Sequence, residues 1–289
     1  MIRIENATKS FGDFKALDGV NITINKGTIY GIIGENGAGK TTLIKSLVGI
    51  YTLDAGSITV DGEPIYENNK VKRIIGYVAD QNQYFKSYRI KHLVDFYKET
   101  YPTFSVEKFH EYNKRMKLNV EKKVHQLSKG MQMRLALILN LAIRPEILVL
   151  DEPTSGLDAI VKKEILDLII QEVEEREMTV LISSHHLSEL ERICDEMSMI
   201  SHGHVTYQST VDDLKQKVKK VQVVFEGKVP TELYQWADIL DVTHIGSVYY
   251  IVTRAYSKAF EEKIRACGVK LLEAIPLSLE EIFIYTNKE

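Results

Sequence analysis

The segment TIYGIIGENGAGKTTLIKSLVG, residues 28–49, constrains this chain more than any other. An apolar run leads into GENGAGKT, which satisfies GxxxxGK[ST], and residues at helical spacing follow. Gly34, Gly37 and Gly39 let the backbone close tightly around an anion. In such a strand–loop–helix unit the backbone N–H groups and the helix N-terminus point at phosphate. Lys40 is expected to reach the β and γ phosphates of a nucleotide, and the Thr41 hydroxyl to ligate Mg²⁺. Asn36, Ala38 and Thr42 complete the expected phosphate wrap.

The surrounding sequence suits an α/β domain. Through about residue 215, short apolar runs alternate with helical patterns, as in a largely parallel sheet. Strands are predicted at Thr28–Ile33, Ser57–Val60, Ile74–Val78, Ile147–Leu150, Thr179–Ser183 and Met197–Ser201. Between Tyr88 and Val124 the texture turns polar and helical, which reads as a subdomain inserted between two strands. Past the run Lys215, Lys217, Lys219 and Lys220, read as a solvated helix end or linker, the pattern becomes strand, helix, two strands, helix, strand. That order suggests a ferredoxin-like βαββαβ unit, and it carries no chemical motif.

A second half of a nucleotide site lies at ILVLDEP, where four apolar residues precede Asp151 and Glu152. A carboxylate at a strand's C-terminal end can hold the Mg²⁺ shell, so Asp151 is the expected metal residue. Glu152 can orient and polarise an attacking water. These motifs settle the cofactor as a nucleoside triphosphate with Mg²⁺, but kinases, GTPases and many motors share them, so the kind of protein stays open.

The run LSKGMQMRLALIL, Leu127–Leu139, narrows it. A Ser and a Gly at the entrance of an apolar helix form an anion receptor. Placed between the other two motifs, it resembles the signature of ATP-binding cassette proteins, usually LSGGQ. Further features fall in that family's order. SGLD, Ser155–Asp158, resembles the loop linking two sites of a dimer; His185 resembles the switch histidine that contacts the γ-phosphate; Phe11 resembles the aromatic that stacks on adenine. His186 is read as a solvated helix-start residue.

The resemblance covers residues 1 to about 215 and implies a P-loop cassette with an inserted helical subdomain, about 84–140. It places the nucleotide-binding domain at 1–219 and a small C-terminal α+β domain at 220–289. Catalysis is implied for Glu152, His185 and Lys40, with Ser128 and Gly130 receiving the phosphates of ATP held by a second protomer. A separate membrane-spanning permease is the other implied partner. The ending PLSLEEIFIYT resembles exporter ATPases, including those for antibiotics and amphipathic peptides such as phenol-soluble modulins.

Two departures stand out. Lys129 replaces the signature's usual Gly and Met131 its Gln, so a nucleotide contact from position 131 is in question. Where the family expects a Mg²⁺-sensing glutamine after a strand, Asp80 holds the position with Gln81 and Gln83 beside it, and the three compete for the role. The following YFKSYR supplies aromatic and basic groups for a groove receiving a helix of the membrane subunit, or for packing within the subdomain.

Composition excludes some alternatives. A net charge of −3 lacks the basic excess of a nucleic-acid binder. The amino terminus MIRIENATKSF carries no apolar signal core, so the chain is expected to stay in the cytoplasm, at the inner face of the membrane through its permease. The longest apolar stretch, Leu135–Ile143, is interrupted by Asn140, whereas a spanning helix needs roughly 20 apolar residues. Cys194 and Cys267, far apart and without nearby ligands, are read as reduced thiols. A soluble cassette acting on ribosomes or DNA is the rival, but neither a second cassette nor a long coiled-coil insertion is present.

Overall fold

The computed structural model describes residues 1–82, 84–227 and 229–286. The chain order begins β1 (Ile2–Phe11), β2 (Phe14–Ile24), β3 (Ile29–Ile33), α1 (Lys40–Leu47), β4 (Ala55–Val60), β5 (Glu63–Pro64), α2 (Asn69–Lys72) and β6 (Ile75–Val78). Helices α3 (Ile90–Thr100), α4 (Val106–Met116) and α5 (Lys129–Ala142) follow, then β7 (Ile147–Asp151), α6 (Ala159–Arg176), β8 (Thr179–Ser184), α7 (Leu187–Leu190), β9 (Glu196–Ser201) and β10 (His204–Thr210). The remainder is α8 (Val211–Lys217), β11 (Lys219–Phe225), β12 (Ile239–Ile245), β13 (Val248–Thr253), α9 (Lys258–Arg265), β14 (Val269–Ile275) and α10 (Leu279–Thr286).

Two compact units divide the chain, one of residues 1–186 and 193–208, the other of 187–192 and 209–289. The division thus falls before the expected 219/220 boundary, and the short segment after His186 groups with the C-terminal unit.

In the first unit a sheet of order β10-β9-β3-β8-β7-β6 forms the centre, parallel from β9 through β6. Strands β3, β7 and β8 are buried at every residue, which is why their sequences read as mostly apolar runs without polar alternation. The run Ser57–Val60 lies elsewhere, in an antiparallel sheet of order β2-β1-β4-β5. β1 and β2 went unpredicted because IRIENATKSF has register shifts at Ile4/Ala7, Ala7/Lys9 and Lys9/Ser10 that break the period of two. Ile4, Leu17, Ile22 and Ile58 from this sheet join Tyr30, Leu43 and Leu181 in one core.

The inserted segment is helical as expected, with α3, α4 and α5 between β6 and β7. Asn140 interrupts α5's apolar run without penalty because its side chain bonds Tyr77 N at 3.1 Å and Ala136 O at 2.9 Å.

In the second unit the sheet order β12-β13-β11-β14, antiparallel throughout, is the ferredoxin-like arrangement. Val221, Val223 and Ile251 pack against Leu233, Phe260 and Ile264. The first expected helix, TELYQWADI, is only a 3₁₀ turn over Thr231–Gln235, its core contribution resting on the buried Leu233.

Candidate functional site

The chain turns from β3 into α1 through a loop that requires its glycines. Gly39 has φ +112° and a Cβ there would stand 2.5 Å from Ala16 O; at Gly34 one would stand 2.4 Å from Ile200 O. Any side chain at either position would push this loop off the neighbouring backbone. Lys40, 5% exposed, donates to Gly34 O at 2.7 Å and Glu35 O at 3.2 Å.

Parallel register brings the rest of the site to the same end of the sheet. Asp151 closes β7 directly opposite Ser183 of β8. Ser183 Oγ donates to Asp151 Oδ1 at 2.8 Å and accepts from Glu152 N at 3.0 Å; Thr41 Oγ1 donates to the same Asp151 oxygen at 3.2 Å. Burial raises the Asp151 carboxyl above its ordinary range, while the bonds from Ser183 and Thr41 pull it back. A desolvated carboxylate beside a hydroxyl is a donor set that fits a hard divalent cation.

Glu152 is in the left-handed region, φ 51°, which bends the chain out of β7 and turns its carboxylate toward the loop. Its Oε2 meets His185 Nδ1 at 2.8 Å. Its Oε1 is buried without a hydrogen bond, although Lys40 Nζ stands 3.2 Å away. His186 is exposed, its ring 4.0 Å from that of His185.

A cavity of about 290 Å³ opens over these groups, lined by Phe11, Phe14, Ala16, Glu35, Asn36, Gly37, Gly39, Lys40, Thr41, Thr42, Asp80 and Glu152. Phe11 is 45% exposed, lies T-shaped to Tyr51 at 5.3 Å with the Lys9 ammonium 5.6 Å over its ring, and lines the cavity. Gly34 and Ala38 instead pack behind the loop.

Ser128 caps α5, accepting from Met131 N at 3.3 Å, and is exposed. Neither it nor Gly130 lines the cavity. A Cβ on Gly130 would be 3.6 Å from Leu157, so the helix start lies against the Ser155–Asp158 loop.

A second, larger cavity of about 770 Å³ is lined by Asp80, Gln81, Asn82, Tyr84, Phe85, Lys86, Val124, His125, Lys129, Gln132 and Met133. Asp80 faces both cavities, whereas Gln81 lines only the second. Gln83 lies outside the described residues.

Sequence reasoning passed over Ser183 and Phe14. Ser183 had a signal, a hydroxyl near the end of the buried strand TVLISS, but its partner depends on strand register. Phe14 follows Phe11 in the same hairpin, and nothing local marks which ring faces a ligand.

The family described as ABC transporter matches residues 17–155. The ABC transporter ATP-binding protein YtrB of Bacillus subtilis is 34% identical over 287 residues, 98% of this chain and 97% of that relative. The chain belongs to the ABC transporter ATP-binding proteins. The bacitracin transport ATP-binding protein BcrA of Bacillus licheniformis is 34% identical, covering 83% of this chain and 81% of that relative. A solved dimeric bacterial ABC transporter cassette, 26% identical, matches with TM-score 0.67 over 73% of this chain and 99% of its own. ATP binding is thus a property of this cassette.

Proposed function

We propose that this cassette powers export through a separate membrane-spanning subunit, acting as a pair of cassettes that enclose two ATP molecules. One observation carries this reading. The P-loop cavity is lined by the loop, Phe11 and Glu152, while Ser128 opens an anion-receiving helix away from it, exposed beside the Ser155–Asp158 loop. A second protomer set head to tail would place that helix start over the phosphates.

Within each site, Lys40 and the loop N–H groups hold the phosphates, and Phe11 stacks on adenine. Thr41 and Asp151 would hold Mg²⁺, which neutralises charge on the β and γ phosphates when bound. Glu152 accepts a proton from the attacking water through Oε1, which makes no hydrogen bond and stands 3.2 Å from the Lys40 ammonium, while His185 orients the carboxylate through Oε2. Lys40 and the partner's signature helix meet the charge that develops on the γ-phosphoryl oxygens. Loss of the γ-phosphate removes contacts that close the pair, so hydrolysis opens it.

No helix among the described residues is long and apolar enough to cross a membrane. Membrane contact is assigned to the larger groove, where Tyr84, Phe85 and Lys86 would receive a short helix of the permease at the cytoplasmic face. The likeness to the bacitracin transport protein supports an amphipathic peptide or antibiotic as cargo. Nucleotide chemistry is assigned to 1–219, and assembly or its modulation to 220–289.

Glu152→Gln tests the core of the proposal. It is expected to bind ATP normally and hydrolyse it at least ~10²-fold more slowly. Near-normal turnover would remove Glu152 from this role. Copurification of a multispanning protein from detergent-extracted membranes tests the permease partner.

A further inference from the structure

The geometry points to Lys129 as a phosphate-binding residue supplied in trans: it would contact ATP on the partner's P-loop, and Asp80 of its own chain is its counter-ion until the two cassettes close. The inference rests on the paired-cassette reading above and extends it to a residue the usual signature lacks.

Lys129 is the first residue of α5, directly after the Ser128 cap. A cation there adds to the positive end of the helix rather than offsetting it. The first turn of α5 contains no acidic residue to compensate. The helix start is thus a concentrated positive site: a capping hydroxyl, exposed N–H groups and an ammonium within one turn.

Its partner within the chain is a loose one. Lys129 Nζ stands 3.8 Å from Asp80 Oδ1, with the two side chains 52% and 40% exposed. Asp80 Oδ1 makes no hydrogen bond. That oxygen is buried, but at 3.8 Å the ammonium is beyond hydrogen-bonding reach of it, so the pair is weak and is readily exchanged for an anion that Lys129 can bond directly. A polyphosphate, with more charge and better acceptors, is such an anion.

Position agrees with this role. A Cβ on Gly156 would lie 3.4 Å from Lys129 Nζ, so the ammonium sits over the same loop that flanks Gly130. Ser128, Lys129 and the Ser155–Asp158 loop form one edge, the edge assigned to the partner's nucleotide. Met131, which cannot donate a hydrogen bond, replaces the family's usual glutamine on this turn, and Lys129 restores a polar contact from it. Asp80 also lines the chain's own P-loop cavity. A cation bound there would draw Asp80 inward and loosen its hold on Lys129, so ATP on one site would prepare the signature that completes the other.

The experiment measures Mg·ATP-driven dimerisation by sedimentation velocity in Glu152→Gln protein, with Lys129→Met and Lys129→Arg added singly. Binding of an ATP analogue is measured at protein concentrations too low for pairing. The Met variant is expected to weaken dimerisation roughly tenfold or more, the loss of a charge-assisted contact, with monomer nucleotide affinity unchanged. The Arg variant should retain most of the wild-type dimerisation. The Met effect should persist in an Asp80→Asn background, because the phosphate contact does not require Asp80.

Dimerisation of Lys129→Met at the parental level overturns the proposal. Disappearance of its effect in Asp80→Asn also overturns it, since Lys129 would then act only through Asp80. If the Glu152→Gln parent fails to dimerise with Mg·ATP although it binds nucleotide, the paired reading itself fails and takes the trans role with it.

Discussion

Ser183→Ala probes the least expected part of the site. The hydroxyl is fully buried and holds two groups at once, donating to the Asp151 carboxylate at 2.8 Å and accepting from Glu152 N at 3.0 Å. Losing a hydrogen bond to a charged group costs about 1.5 to 3 kcal/mol, and an N–H left without its acceptor adds about 1 kcal/mol. Alanine is nearly isosteric, so no sizeable cavity term adds. The sum is about 2.5 to 4 kcal/mol of local stability where β7 meets β8. Hydrogen exchange of the β7 and β8 amides is the suitable assay, because a chain of two units does not unfold as one two-state system. Exchange should accelerate roughly 60-fold or more, taking 1.4 kcal/mol as tenfold.

The pH dependence has a definite sign. Asp151's folded carboxyl is already raised, and losing Ser183 raises it further. A raised carboxyl destabilises the folded state when ionised, so the Ser183→Ala deficit is largest above the raised value. It shrinks as pH falls toward the unfolded value of about 3.9. The Mg²⁺ concentration needed for half-maximal hydrolysis should also rise, because Asp151 loses the hydroxyl that orients it. Exchange within threefold of wild type together with an unchanged Mg²⁺ requirement would refute this account.

Three further outcomes are expected. Phe11→Ala should weaken ATP binding by about 1 to 3 kcal/mol in a fluorescence titration, and an unchanged affinity would return Phe11 to its packing on Tyr51. Glu172, 1% exposed, accepts from Tyr112 at 2.6 Å and from Arg176 at 3.0 Å. Glu172→Ala should cost about 3 to 5 kcal/mol, seen as lost exchange protection in α4 and α6, and a deficit under 1 kcal/mol would mean the cluster relaxes freely. Iodoacetamide should label Cys267 in the native protein and Cys194 only after unfolding, because Cys194 is buried and burial pushes its thiol up. Native double labelling, read by mass spectrometry, would contradict that burial.

The sequence by itself determined the elements whose physics is local. GENGAGKT between a strand and a helix demands its conformation from a few adjacent residues, because Gly39 must take a positive φ where the loop enters the helix. The order of that loop, the LSKGM helix start and ILVLDEP is equally a property of the chain alone, and it carried the family. The alternation of strands and helices gave the α/β class for the same reason, since periodicity reports burial along one element.

Tertiary structure decided what depends on pairing between distant segments. Ser183 meets Asp151 only because β7 and β8 run parallel in that register, and a shift of one residue would turn the hydroxyl to the opposite face. Asp80, unlike Gln81, faces the P-loop cavity because the chain turns after β6, where Asn82 bonds Ala79 at both N and O. The antiparallel β1-β2-β4 sheet was hidden by irregular register, and the TELYQ turn by a helical pattern too short to outweigh its surroundings. Likewise, the segment 187–192 groups with the C-terminal unit through Glu191, which pairs with Lys215 at 2.7 Å and accepts from Leu279 N at 3.3 Å. Those partners are far apart in sequence, and a one-dimensional pattern records no contact whose two halves are separated by the fold.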